Sequence, residues 1–189
     1  RRMSRLPEAA NRLRAIGALS EVALDLPVAA RVAELDEADA LDAIDAAIEA
    51  GIVQPTSVFD RYRFTHALFR HVLVEEMNPS RQVRAHRAIA QAMEGRLGDQ
   101  ISPADSAALL RHYERSAALP GADRGVAHAI AVADDAARRF ALDEECAALA
   151  RGIDLLPDDD GRRHDLLLRR ARVLVSTEAS TDAKVAAAQ

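Results

Sequence analysis

The side chains able to do chemistry are few, and their spacing keeps them apart. His66 and His71 are five positions apart, which puts them on different faces of a helix. His71 and Glu75 are four apart and share a face. Two ligands do not make a zinc site, however, because zinc takes at least three protein donors. Cys146 lies in an alanine-rich stretch with no histidine nearby and reads as a small buried hydrophobe. As the single cysteine, it also excludes an internal disulfide framework. Asp158 to Asp160 form an acidic turn between Pro157 and Gly161, with too few further oxygens for calcium. The glycine-rich phosphate loop that ends in Gly-Lys-Ser/Thr is absent, and the only lysine is Lys184. Neither a nucleophile elbow nor a zincin motif occurs. No nucleophile is paired with a base, so the segment is expected to be no enzyme, with no metal and no cofactor of its own.

Charge is distributed more informatively. The stretch after Val32 carries Asp36, Glu37, Asp39, Asp42, Asp45 and Glu49, and no lysine or arginine occurs before Asp60. The opposite sign follows at once. Arg61, Arg63, Arg70, Arg81, Arg84, Arg87 and Arg96 face only Glu75, Glu76 and Glu94. An arginine-rich surface beside a histidine has the chemistry to receive a phosphate, although a solvated helix face is the plainer reading.

These residues must be positioned by helices. Of the 189 residues, 49% are hydrophobic and 3% aromatic, with a net charge of −5. Such a length supports one large or two small cores. Abundant small residues suit closely approaching helices better than a sandwich. The acidic balance argues weakly against a general nucleic-acid binder. No apolar run approaches the roughly 20 residues of a membrane helix. Arg1, Arg2 and Arg5 lead straight into an amphipathic helix rather than a secretory signal, so a cytoplasmic protein is expected. The first residue is not Met, and an excised segment of a longer chain is expected.

The spacing predicts a first helix from Pro7 with a stripe of Leu13, Ile16 and Leu19. Asp25 and Pro27 start a second, and Asp36 caps a third carrying Leu41, Ile44 and Ile48 inward. Gly51 ends it as a left-handed cap. Ile52 and Val53 read as a strand, Pro55 to Asp60 as a loop, and Tyr62 to Phe64 as the return strand. A helix follows with Leu68, Phe69, Val72 and Leu73 inward. Asn78 and Pro79 open the next, which turns Arg81, Arg84, Arg87 and Arg96 mostly outward and stops at Gly98. Ser102 and Pro103 repeat the cap signal. Further helices are expected from about Asp123 to Ala141, from a cap at Asp143 to Leu156, and from Arg162 to Val175, with a last one starting at Ser180 or Thr181. From Arg124 to Pro157 spans one tetratricopeptide period of roughly 34 residues.

The fold expected is therefore mainly α: a winged helix with a small two-stranded wing over residues 1–77, connecting helices over 78–122, and tetratricopeptide-like antiparallel pairs over 123–189. A winged helix ordinarily reads the major groove with cationic or amide side chains on its third helix. Here that helix is acidic and would meet a polyanion, so direct DNA binding is not expected.

LDEADALDAIDAAIEAGIV followed by RYRFTHALFRHVLVEEMNPSRQVRAHRAIAQAME resembles the region downstream of the nucleotide-binding domain in bacterial STAND-class signal-transducing NTPases, among them LuxR-type and cyclase-linked transcriptional regulators. The resemblance implies an upstream NTPase domain as partner, ATP or ADP as the cofactor of the full-length protein, and repeats that bind a protein or small-molecule effector. It also implies a role for His66. Thr65, His66 and Ala67 are similar to the Met-His-Asp stretch in which the winged-helix histidine contacts the β-phosphate of ADP, with Thr65 in place of Met and Ala67 in place of Asp. His66 would then sense the nucleotide from the first turn of its helix, a location suited to phosphate. The alternative is a stand-alone winged-helix DNA-binding repressor with a helical dimerisation tail.

Overall fold

The computed structural model describes the backbone of residues 8–20 and 23–187 and the side chains up to residue 176. The expected helix start at Pro7 lies outside the described residues. The chain is mainly helical, with one small antiparallel sheet. In order, the elements are α1 (Glu8–Ala18), β1 (Leu24–Asp25), α2 (Leu26–Val32), α3 (Glu37–Glu49), β2 (Val53–Pro55), β3 (Arg61–Phe64), α4 (Ala67–Glu75), α5 (Pro79–Leu97), α6 (Pro103–Arg115), α7 (Gly125–Arg138), α8 (Leu142–Asp154) and α9 (Arg162–Ala187), with a short 3-10 turn at Ala122–Arg124. They divide into two compact units, Arg1–Arg96 and Leu97–Gln189.

Local chemistry sets most boundaries in the first unit. The Asp25 carboxylate accepts from the Val28 amide at 3.2 Å, and the proline at Pro27 needs no partner in the first turn of α2. Asp36 caps α3 by accepting from the Asp39 amide at 2.8 Å. Gly51, at φ +67°, closes α3: its amide reaches Ile48 O at 2.8 Å, and the Ile52 amide reaches Ala47 O at 3.0 Å. The chain then runs directly into β2.

β2 pairs with β3 in the register Val53↔Phe64 and Pro55↔Tyr62. The sheet has a third strand that the sequence reading omits. β1 lies on the other side of β3, with Leu24 opposite Tyr62 and Asp25 opposite Arg61, giving the order β1-β3-β2. Two residues are too few to show an alternating pattern.

One core joins Ala10, Leu13, Leu24, Ala29, Ala43, Ile44, Ala47, Ile52 and Val53. A second cluster around Leu19, Val28, Ile89 and Ala92 ties in α5. The inward face of α3 is Ala40, Ala43, Ile44 and Ala47, so the expected stripe is out of phase at Leu41, which is 45% exposed. Alanines face the core because α1 packs on that side, and a leucine there would hold the helices apart. Leu68 is likewise 69% exposed, while Leu73 is buried. α5 buries Ala85, Arg87, Ile89, Ala90 and Ala92, which lie on more than one side of the helix. Arg87 is therefore buried, not outward.

In the second unit α6 packs on α7, α7 on α8 and α8 on α9. Ser102 and Asp105 form a full capping box at α6. At Gly125 a Cβ would lie 2.6 Å from Tyr113 Cβ and 2.6 Å from Leu155 Cδ1, so only glycine admits both neighbours. Three boundaries differ from expectation. α7 ends at Arg138, because Phe140 turns left-handed (φ +56°) and the Phe140 and Ala141 amides return to Ala137 O and Ala136 O. α8 starts at Leu142 behind Ala141, without a side-chain cap. Asp143, Glu144 and Glu145 occupy its first turn, where the helix dipole favours acids. α9 runs unbroken through Ser180 and Thr181, since no glycine or proline interrupts it.

Candidate functional site

The first unit presents its charge on α3. Asp36, Glu37, Asp39, Asp42, Asp45 and Glu49 are all exposed, because the alanine face between them turns inward. Burial raises the Tyr62 hydroxyl above its ordinary value, and Asp60 and then Asp45 push the same way.

The loop itself is tied down. Thr56 N donates to Arg61 O at 2.9 Å, Arg61 N to Val58 O at 3.1 Å, and Leu26 N to Asp60 O at 2.9 Å. Asp60 takes the left-handed turn at φ +58°. These bonds hold Val58 and Phe59 in the open, 60% and 87% exposed. The expected loop from Pro55 to Asp60 thus has an apolar tip that its turn-forming residues do not announce. The sequence signal was Val58-Phe59 placed between turn-forming residues.

His66 is exposed and serves as the N-cap residue of α4, with extended backbone at φ −136° and ψ 135°. It therefore precedes the first turn in which it was expected. Its side chain makes no cap hydrogen bond, and its ring lies tilted 5.6 Å from that of Phe69. Thr65 just before it is an anchor: its hydroxyl donates to Gly51 O at 2.7 Å and its amide to Ile52 O at 2.9 Å. The strand-to-helix corner that carries His66 is thereby fixed to the end of α3.

The arginines do not form one open row. Arg61 and Arg96 converge on the Asp25 carboxylate at 3.2 and 2.7 Å. Arg84 Nη1 donates to Ser80 O at 3.1 Å, Arg87 is buried, and Arg63 and Arg81 are exposed. His71 Nε2 meets Glu75 Oε1 at 3.1 Å on the surface. Among the described residues no three His, Cys, Asp or Glu side chains come together as a metal site would require. No helix among them is long and apolar enough to cross a membrane.

In the second unit, ion pairs cross between helices. Arg151 grips Glu114 through two bonds of 2.5 and 2.6 Å, and Arg169 reaches both Asp134 (2.6 Å) and buried Glu145 (2.8 Å). Tyr113 and His128, both buried, stack at 6.0 Å. Phe140 stands 88% exposed at the α7–α8 corner.

Compared with protein-family models, curated proteins and solved structures, the chain matches none.

Proposed function

We propose that the chain is the central regulatory segment of a multidomain signal-transducing NTPase, with its first unit a winged helix and its second the start of tetratricopeptide-like pairs. The order α1-β1-α2-α3-β2-β3-α4 and the sheet β1-β3-β2 support the first assignment. The consecutive packing of α6 to α9 supports the second. The segment has no catalytic role in this reading, and nucleotide belongs to the upstream domain.

The observation that carries the proposal is the exposed acidic face of α3. A helix set to enter a groove would need cations to neutralise phosphates, and affinity for DNA rests largely on that neutralisation. Here every charge on the exposed face is negative. Such a face complements a basic protein surface, which in this reading belongs to the nucleotide-binding domain. An effector docks at the second unit.

His66 is suited to a sensor role because it is exposed, free of a capping bond and held on a fixed corner. Mobility shift at low salt separates this reading from that of a DNA-binding repressor, since it expects no shifted band with any duplex. With the upstream domain attached, His66→Ala is expected to release ADP faster. Unchanged retention would remove the sensor role while leaving the docking face intact.

A further inference from the structure

The first unit contains a cleft that the regulatory reading leaves unused. It has a volume of about 1520 Å³ and lies between α1, the end of α2, the end of α4 and the start of α5. Its wall is apolar at Ile16, Val32, Leu73 and Met77 and cationic at Arg12, Arg14 and Arg81. Arg12 and Arg81 are exposed, whereas Arg14 is 1% exposed.

Arg14 is the unusual member. Its Nε donates to Ala10 O at 3.1 Å and its Nη2 to Asn11 Oδ1. Nη1 is buried and has no hydrogen-bond partner among the described residues. Burial pulls the Arg14 guanidinium below its ordinary value, and Glu76 opposes this through space. A buried donor left without an acceptor is destabilising, and an aliphatic side chain of similar length would avoid the penalty. Arg14 shares a helix face with Ala10, Gly17 and Ala18, which are the residues of close packing. An arginine on that face is explained by what it can receive.

Glu34 and Glu76 also line the cleft, so three cations face two anions. That balance admits a single negative charge and opposes a dianion such as phosphate. A planar carboxylate matches the guanidinium edge, and the apolar wall suits a hydrocarbon body. We propose that this cleft binds an amphipathic organic monocarboxylate, with its carboxylate on Arg14 and Arg81 and its tail against Leu73 and Met77.

Titration calorimetry and thermal shift on the whole chain test this with octanoate, using 1-octanol as the uncharged control and inorganic phosphate as the tail-less one. Octanoate is expected to bind saturably at one site and raise Tm, and neither control should do so. Arg14→Met is expected to melt no lower than the parent yet bind at least about tenfold more weakly, the loss of a charge-assisted contact. Should that variant fail to fold, Arg81→Gln, at an exposed position, decides: its affinity should fall several-fold with Tm unchanged. Equal shifts from octanol and octanoate, binding of phosphate alone, no binding of octanoate at millimolar concentration, or parental affinity in the variant that folds would each overturn the proposal.

Discussion

Replacing Asp25 tests whether one carboxylate joins the sheet, α2 and α5. Its oxygens serve three partners: the Val28 amide at 3.2 Å, Arg61 at 3.2 Å and Arg96 at 2.7 Å. Loss of an N-cap costs about 1 kcal/mol. Each ion pair, with arginine side chains 31% and 39% exposed, is expected to contribute about 0.5–1 kcal/mol because water still reaches the cation. Asp25→Ala should therefore cost about 2–3 kcal/mol. Asp25→Asn keeps an oxygen for the cap and should lose only the ion pairs, about 1–2 kcal/mol.

Urea unfolding measures both. The chain has two tyrosines and no tryptophan, and Tyr62 belongs to the first unit. In a Tyr113→Phe background, phenol fluorescence then reports that unit alone. At a slope of about 1–3 kcal/mol/M, the Ala variant should unfold about 1 M earlier. Salt near 1 M should shrink the Asn deficit by screening the pairs it removes. An Asn variant as damaged as Ala, or a deficit indifferent to salt, would refute the division of labour between cap and charge.

Three further outcomes concern the second unit. Gly125→Ala should cost about 1–3 kcal/mol by overpacking against Tyr113 and Leu155, measured by thermal unfolding followed by circular dichroism. Phe140→Gly should stabilise by up to about 1 kcal/mol, because it relieves a left-handed backbone while removing a side chain that is 88% exposed; a loss in urea unfolding would show that the ring packs on something the chain needs. The Arg162 guanidinium, and then its backbone amide, holds the Asp160 carboxyl below the usual carboxylate range. A depressed folded-state value means the contribution is complete above the ordinary pKa of 3.8 and fades as pH falls through the lower value. Melting temperatures of the parent and Asp160→Asn should accordingly differ at pH 5 and converge on further acidification.

Legibility in the sequence followed the range of the interaction. Asp25 with Pro27, Asp36, Gly51, and Ser102 with Pro103 were readable because a cap is complete within a few residues, whereas the part Asp105 plays in the box at Ser102 was not read. β1 was not, because two residues become a strand only through Arg61 and Tyr62 far along the chain. Leu41 and Ile44 were equally apolar, and the neighbouring helix decided which of them faced inward. The corner at Phe140 lacked the glycine that usually announces a left-handed cap. His66 was identifiable as a residue, but its position before the first turn was not, since it depends on Thr65 reaching back to Gly51. Burial of Arg14 and Arg87 had no signal in composition, because arginines mark surface by default.

Two inversions in the first unit bear on what it is for. The phenylalanine at position 59 is held outside by backbone hydrogen bonds on both flanks, while the arginine at position 14 is held inside with a donor unfilled. Stability alone would favour the opposite of each. Departures of this kind are found in folded proteins where function has a use for them, although Arg170 Nε is likewise buried without a partner and Phe140 is likewise exposed. Phe59, 87% exposed, lies on the same unit as the acidic face of α3. Arg14 offers a buried charge at the wall of a cleft that is part apolar and part charged, and a buried charge attracts an anion more strongly than one in open water. Under the two proposals above, a protein surface meets the acidic face of α3 and a small acid meets Arg14. Because each rests on its own residues, loss of one by mutation leaves the other open to measurement.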